Sequence, residues 1–137
     1  MIRNPFISIT NGYDIHVVFS ANQIEQANHL FTDFMTFISD NGIPHHRPKV
    51  FDKPVGPWTT PMWQVLLTQS NRVHHDLGTC IGWLMLNRRG FSVMIHPNTD
   101  LEHGLGGSYE DHSQNMLWLG QPTALKLGVL SPSTTAG

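Results

Sequence analysis

Two histidines lie on predicted strands where their side chains could meet. Residues Tyr13 to Phe19 alternate between two faces, which predicts a strand with His16 on the less apolar one. Phe91 to His96 alternate in the same way and place His96 on the corresponding face. Neutral imidazole is the commonest protein ligand for borderline divalent metals, so iron, zinc or manganese could bind here. His112, in a predicted short helix after a glycine-rich loop, could supply a third ligand.

The pairing of the two strand histidines carries this interpretation, because a lone strand histidine is more often a hydrogen-bonded polar residue than a ligand. The chain has no HExxH, CxxC or close His-x-His motif. Cys80 falls on the apolar stripe of a predicted helix and is interpreted as a small core residue rather than a nucleophile. The other histidines are interpreted mainly as solvated side chains: His29, His45, His46, His74, His75 and His103.

The elements that would position these side chains follow the order β-α-β-β-α-β. The predicted strands are Tyr13–Phe19, a short one near Lys49–Phe51, Pro61–Ser70 and Phe91–His96. The predicted helices run from a Ser20 cap to about Ser39, from Ser70 or Asn71 to near Asn87, and from Tyr109 to Leu117. This order predicts an α+β, ferredoxin-like βαββαβ sandwich with an antiparallel sheet and an extra short helix near its C-terminus. Two helices would cover one sheet face, and the other would be left for a ligand or a second subunit.

Composition limits the class of protein. The 137 residues fit a single domain, which we expect at residues 13–128, with an N-terminal segment at 1–12 and a loose tail at 129–137. Eight Lys and Arg against ten Asp and Glu give a net charge of −2, which argues against a general nucleic-acid binder. The longest strongly apolar run, Cys80 to Leu86, is too short for a membrane span. One cysteine forbids an internal disulfide and indicates a reducing compartment, so we expect a cytoplasmic protein.

Six short strings, in a fixed order over residues 10 to 125, carry a family resemblance. They are Tyr13–Phe19, Lys53-Pro54-Val55-Gly56-Pro57, Trp83–Arg88, Gly90–Thr99, Asp111-His112 and Leu117-Trp118-Leu119-Gly120. In combination they resemble the DOPA 4,5-dioxygenase family, the small extradiol-type enzymes of fungi and bacteria. The resemblance implies a ferredoxin-like domain paired into a homodimer, a non-haem Fe(II), and O2-dependent cleavage of the ring of a catechol such as L-DOPA.

The resemblance also implies a set of site residues. The residues expected to bind the metal and act in catalysis are His16, His96 and His112. The residues expected to contact the substrate are Trp58, Asn98, Thr99 and His46. The two-histidine, one-carboxylate arrangement of many non-haem Fe(II) oxygenases would add a carboxylate. The carboxylates available for it are Asp14, Glu102, Glu110 and Asp111.

One position departs from the family pattern. Pro-Val-Gly-Pro is followed here by Trp58, where the family usually has histidine. An indole offers one N–H donor and cannot ligate a metal. Two alternatives to a dioxygenase therefore stay open: a dimeric ferredoxin-like module that binds a small aromatic ligand without metal or catalysis, and a metal-dependent enzyme of another kind, such as a zinc hydrolase.

Overall fold

The computed structural model describes residues 6–99 and 109–130. The predicted glycine-rich loop, with Glu102 and His103, lies outside the described residues, as do residues 1–5 and 131–137. The elements of the described residues are β1 (Ile9–Val18), α1 (Ile24–Asp40), β2 (His45–Phe51), β3 (Met62–Leu67), α2 (Val73–Asn87), β4 (Ser92–Thr99), α3 (Tyr109–Ser113) and β5 (Leu117–Leu119).

The strands form one antiparallel sheet in the order β2-β3-β1-β4-β5. The first four strands and the two long helices have the ferredoxin-like arrangement, which confirms the predicted fold class. β1 and β4 are neighbours, as the histidine argument required. Across residues 6–99 and 109–130, no helix is long and apolar enough to cross a membrane.

The main apolar core lies between the sheet and the helices α1 and α2. The strand residues that build it, here called the helix face, are Tyr13, Ile15, Val17, Trp63, Val65, Leu67, Val93 and Ile95. On α1 the buried residues are Ala27, Leu30, Phe34 and Ile38, spaced as one side of a helix requires. Since neighbouring residues of a strand point to opposite sides of the sheet, the alternate positions form the second face. Asp14, His16 and His96 lie on this second face, here called the site face.

The chain itself covers part of the site face, which the sequence had suggested would be left open. Val18, Met62 and Met94 form a second apolar cluster there with Trp58, which comes from the proline-rich loop. The C-terminal segment adds Met116, Trp118 and Leu125, which are partly buried against this cluster. Trp58 and Leu125 also pair through an isolated backbone bridge. The site face therefore holds a bounded pocket rather than a bare sheet surface.

Several element boundaries differ from the prediction. β1 begins at Ile9 rather than Tyr13, inside the expected N-terminal segment, and β4 extends to Thr99 rather than His96. β2 begins at His45 rather than near Lys49, because a bulge between His46 and Lys49 accommodates Pro48 on this edge strand. α3 ends at Ser113, before the predicted Leu117. The residues that follow α3 form β5, a short edge strand paired with β4 that the sequence pattern did not reveal.

Candidate metal centre

Three potential ligand atoms converge on the site face. Asp14 and His16 are two residues apart on β1, so both side chains point to the same side of the sheet. His96 on β4 lies directly opposite Asp14 in the strand register. The Nε2 atoms of His16 and His96 are 3.3 Å apart, and Asp14 Oδ2 lies 3.2 Å from His96 Nε2 and 3.9 Å from His16 Nε2. Two imidazoles and one carboxylate thus face a common point.

The three side chains are buried, and hydrogen bonds orient two of them. Asn98 Nδ2 donates to Asp14 Oδ1 at 2.8 Å, which leaves Oδ2 directed at the histidines. His96 Nδ1 donates to the carbonyl oxygen of Pro97 at 3.0 Å. Because a carbonyl can only accept, this bond places a proton on Nδ1 and leaves Nε2 to act as the ligand. The arrangement has the outer support that metal-binding side chains normally have.

His16 is oriented by its 3.3 Å Nε2 contact with His96 and by packing. Its buried Nδ1 has no hydrogen-bond partner among the described residues. The indole of Trp58 lies against the imidazole instead, with ring centroids 4.5 Å apart and planes tilted by 47°. Trp58 therefore acts here as a wall that fixes the ring of His16. The sequence had predicted that this indole could not be a ligand, and the geometry gives it a positioning role.

Two effects set the pKa values in the cluster: burial of the side chains, and the electrostatic interactions among the Asp14 carboxylate and the histidines. Burial, and then the neighbouring His96, lower the pKa of His16 to about 3, so its imidazole is neutral near pH 7. Burial alone would raise the pKa of Asp14, but the charges of His96 and His16 and hydrogen bonds from His96 and Asn98 hold it below its usual range. Burial would likewise lower the pKa of His96, but the Asp14 carboxylate outweighs that effect and raises it. The metal-free cluster is therefore held together chiefly by the 3.2 Å contact between Asp14 and His96.

The donor set fits a divalent metal. Two imidazole nitrogens and one carboxylate oxygen are the ligands of non-haem Fe(II) oxygenase sites, and zinc also accepts them. The three ligand atoms all lie within 4.8 Å of one another. A cation there would replace the proton that joins His96 to Asp14 and would neutralise a buried carboxylate.

His112 lies beside this cluster. Its ring centroid is 4.0 Å from that of His96, and its side chain is buried and lines the same pocket. Within the described residues, the cluster of converging ligand atoms comprises Asp14, His16 and His96, with the carboxylate in the place expected for His112. The role of His112 as a ligand stays a prediction.

Helix α3, which carries His112, is anchored to β4 by its acidic residue. Asp111 accepts hydrogen bonds from the backbone N–H of Thr99 at 3.1 Å and from its hydroxyl at 3.1 and 3.2 Å. Thr99 thus contacts Asp111, and Asn98 contacts both Asp14 and the backbone carbonyl of Asn11, the latter at 3.2 Å. A direct contact of either side chain with substrate stays a prediction.

A pocket of about 190 Å³ opens next to the ligand cluster. Its described lining residues are Asp14, His16, Arg47, Phe51, Val55, Gly56, Pro57, Trp58, Met62, Gln64, Leu66 and His112. The volume is below the roughly 300–1,000 Å³ of typical drug-sized ligand sites, so a single-ring molecule suits it. Trp58 lines the pocket, and its contact with a substrate stays a prediction. His46 is not among these residues, and its Nδ1 lies 2.9 Å from the hydroxyl of Thr68.

Arg47 is the charged residue among the lining residues that sequence reasoning missed. It lies in the bulge of β2, in a polar and proline-containing stretch whose alternation gives no indication of which way a side chain points. The sequence shows a basic residue before Pro48, but without knowledge of the bulge it does not show which face of the sheet Arg47 lies on.

The fold and the site together define a class: a ferredoxin-like α+β domain with a buried two-histidine, one-carboxylate cluster beside an aromatic-lined pocket. A family model, that of the Dopa 4,5-dioxygenase family, matches residues 13–129. The chain belongs to this family.

Three known proteins are similar to this chain. An uncharacterised 21.2 kDa protein of Botryotinia fuckeliana is 29% identical over 124 residues, covering 89% of this chain and 64% of that protein. A crystal structure from Nostoc punctiforme, of a protein provisionally assigned as a dioxygenase, superposes with a TM-score of 0.60 at 28% identity, covering 87% of this chain and 90% of that one. Human carboxypeptidase O is 27% identical over 84 residues, which is 61% of this chain but 20% of that protein. The chain thus spans less than two thirds of either curated relative.

Proposed function

We propose that this protein is a non-haem Fe(II)-dependent extradiol-type dioxygenase that cleaves the ring of a catechol with O2. The observation that carries the proposal is the convergence of Asp14, His16 and His96 at the wall of an aromatic-lined pocket, in a chain of the Dopa 4,5-dioxygenase family. Zinc or manganese are the alternative metals for the same donor set.

Asp14, His16 and His96 would hold the metal from one side, the sheet. Fe(II) bound there would supply the redox chemistry that lets a catechol react with O2. Asp14 and His16 also line the pocket, so the oxygens of a bound catechol would lie next to a metal that these residues hold. The residues beneath the cluster, Asn98 and Pro97, keep the ligand atoms in place without occupying that side.

The pocket walls would orient the aromatic ring and keep water away from it. Phe51, Met62 and Leu66 supply apolar surface, and Trp58 adds an aromatic face next to His16. His112 lines the same space and is placed to exchange a proton with a substrate hydroxyl, a role for which imidazole is suited. A protonated catechol entering the site must lose protons to bind through its oxygens, so a nearby base is needed.

The test is anaerobic reconstitution with Fe(II), followed by O2 uptake with L-DOPA and simple catechols while the yellow ring-opened product is recorded. We expect one Fe(II) per chain and stoichiometric O2 uptake. Asp14→Asn and His16→Ala should weaken Fe(II) binding by at least about 100-fold, since loss of an outer-shell partner alone costs 10- to 100-fold. His75→Ala, which removes an exposed helix imidazole, is the matched control and should bind Fe(II) normally.

The possible outcomes separate the alternatives. Full Fe(II) occupancy in both variants would place the metal elsewhere and overturn the site. Aromatic binding without metal or O2 uptake would favour the non-catalytic module. Zinc retention with hydrolytic activity would favour another metalloenzyme. The homodimer that the family resemblance implies is part of the proposal, and light scattering of the purified protein tests it.

A further inference from the structure

Arg47 occupies an unusual position on the pocket wall. It lies in the β2 bulge between His46 and Lys49, and its φ of 50° puts a non-glycine residue in the left-handed region. Bulges next to functional sites commonly redirect a side chain, and backbone strain of this kind persists where surrounding contacts hold it. One such contact is the hydrogen bond from Gln64 Nε2 to the carbonyl oxygen of Arg47, at 3.2 Å. The result is that Arg47, an exposed residue, is one of the residues that line the pocket.

Charge distinguishes Arg47 from the rest of the pocket wall. Among the described lining residues, the other permanent charge is that of Asp14, which belongs to the ligand cluster. Within residues 6–99 and 109–130, no carboxylate forms an ion pair with Arg47, whereas Arg89 on the far side of the molecule pairs with Asp33. A guanidinium with no acidic partner among the described residues, beside a pocket lined by both polar and apolar side chains, suits an anionic ligand.

The separation of Arg47 from the metal ligands also fits a substituted ring. β2 and β1 are separated by β3, so the two strands are two spacings apart, or roughly 10 Å. Between them on the site face lie Gln64 and Leu66, which line the pocket. An aromatic ring with its hydroxyls at the cluster and a short side chain extended towards β2 spans this gap.

We propose that Arg47 is the specificity-determining residue of this site and binds the carboxylate of a substrate whose ring lies at Asp14, His16 and His96. The substrate class is then a single-ring catechol with a carboxylate on a short side chain, in preference to a neutral alkylcatechol or a catecholamine. This inference rests on the proposed function for the catechol part, but the carboxylate part depends on Arg47 alone.

The test compares two ligands that differ in the carboxylate. 3-(3,4-Dihydroxyphenyl)propionate and 4-ethylcatechol are bound anaerobically to the Fe(II)-loaded full chain, with tryptophan fluorescence as the readout, and kcat/KM for O2 uptake is measured in parallel. We expect the acid to be preferred by about 10- to 100-fold, the range for a hydrogen bond between charged groups. Arg47→Gln should remove this preference while leaving 4-ethylcatechol within about twofold, and Arg47→Lys should restore part of it.

Arg72→Gln, an identical change on an exposed residue at the start of α2, is the matched control and should keep the preference. Equal losses for both ligands in Arg47→Gln, or no preference in the unaltered protein, would overturn the proposal. To separate it from the proposed function, binding of 3-phenylpropionate to the metal-free protein is measured as well. If the protein takes up no O2 but binds this acid in an Arg47-dependent way, the carboxylate-binding role of Arg47 is supported and the proposed dioxygenase activity is overturned.

Discussion

The two faces of β1 are both buried but differ in chemistry. Ile15 is 0% exposed on the helix face and His16 is 3% exposed on the site face, although they are neighbours on β1. The helix face buries apolar side chains against α1 and α2. The site face buries a carboxylate and imidazoles, groups whose desolvation costs free energy unless they are paired. Burial on one face therefore stabilises the fold, and burial on the other prepares a site.

This difference shows how one strand serves two purposes. Alternation with period two lets every second residue of β1 be chosen for packing and the residues between for chemistry. The pairing of Asp14 with His96 limits the cost of the site face in the metal-free protein. A metal would then use a geometry that is already assembled, so substitutions on the two faces should separate stability from metal binding.

Among substitutions on the two faces, Ile15→Ala should cause the largest loss of stability. Removing a buried isoleucine side chain from the helix face should cost about 2–5 kcal/mol in the free energy of unfolding. His16→Ala should cost less than roughly half as much in the metal-free protein, because it also removes a desolvated ring whose Nδ1 lacks a partner among the described residues. Urea denaturation of the metal-free variants measures both values.

Titration with Fe(II) measures the metal affinity of the same two variants. Ile15→Ala, if it stays folded at low temperature, should bind Fe(II) with the affinity of the unaltered protein. His16→Ala should not bind it tightly. An equal loss of metal affinity in both variants would show that the two faces do not act independently.

The residues that sequence reasoning could place were those determined by local alternation. His16 and His96 were assigned to one face by period two, and the ferredoxin-like strand order made their strands neighbours. Asp14 could not be chosen over the other carboxylates, because its selection depends on the register that sets it opposite His96. Register depends on tertiary pairing, which no single segment encodes.

Short and irregular segments were the other limit. β5 has three residues, too few to show any period. The cover of the site face comes from a proline-rich loop and the C-terminal segment, whose packing onto Met62 and Met94 has no local signature. The sequence therefore predicted the fold and two of the three residues of the ligand cluster, but it did not select the carboxylate or place the segments that enclose the site.

The pH dependence of stability should come from the site face. The pKa of His16 is lowered to about 3 in the folded state, against about 6.5 in an unfolded chain, so between these values the unfolded state binds the extra proton. The free energy of unfolding should therefore fall on acidification between about pH 6 and pH 4, by at most about 1.4 kcal/mol per pH unit from this residue. His96 has the opposite effect, because its pKa is raised in the folded state. The stability that His96 adds is fully present below about pH 6.5, and it is lost as the pH rises through the pKa of His96 in the folded protein.

Urea denaturation of the metal-free protein from pH 4 to pH 8 measures this dependence. His16→Gln should flatten the acid side of the curve, and Ile15→Ala should lower the whole curve without changing its slope. If Ile15→Ala alone altered the acid slope, the titrating group would have to lie on the helix face.

Two strand bulges, one in β1 and one in β2, also differ in whether their residues favour stability. In β1, Gly12 has a φ of 70° at the register shift between Ile9 and Tyr13, and a side chain there would overlap the carbonyl oxygen of Leu67. Glycine at this position is a requirement of the fold. In β2, the left-handed position is occupied by Arg47, a residue that pays a conformational penalty there. The first bulge has the residue that stability favours, and the second has one that stability does not explain.

The smallest expected effect is therefore a gain. Arg47→Gly should relieve the left-handed strain and raise the free energy of unfolding by up to about 1 kcal/mol, an amount reduced by the greater freedom of glycine in the unfolded chain. Gly12→Ala should lower it by more than about 1 kcal/mol, because the new methyl group meets backbone that cannot move freely. Thermal unfolding of the two variants measures both changes. A more stable Arg47→Gly protein that no longer prefers carboxylate ligands would show that the strain is kept for the site, whereas a destabilised one would mean that the arginine holds the bulge together.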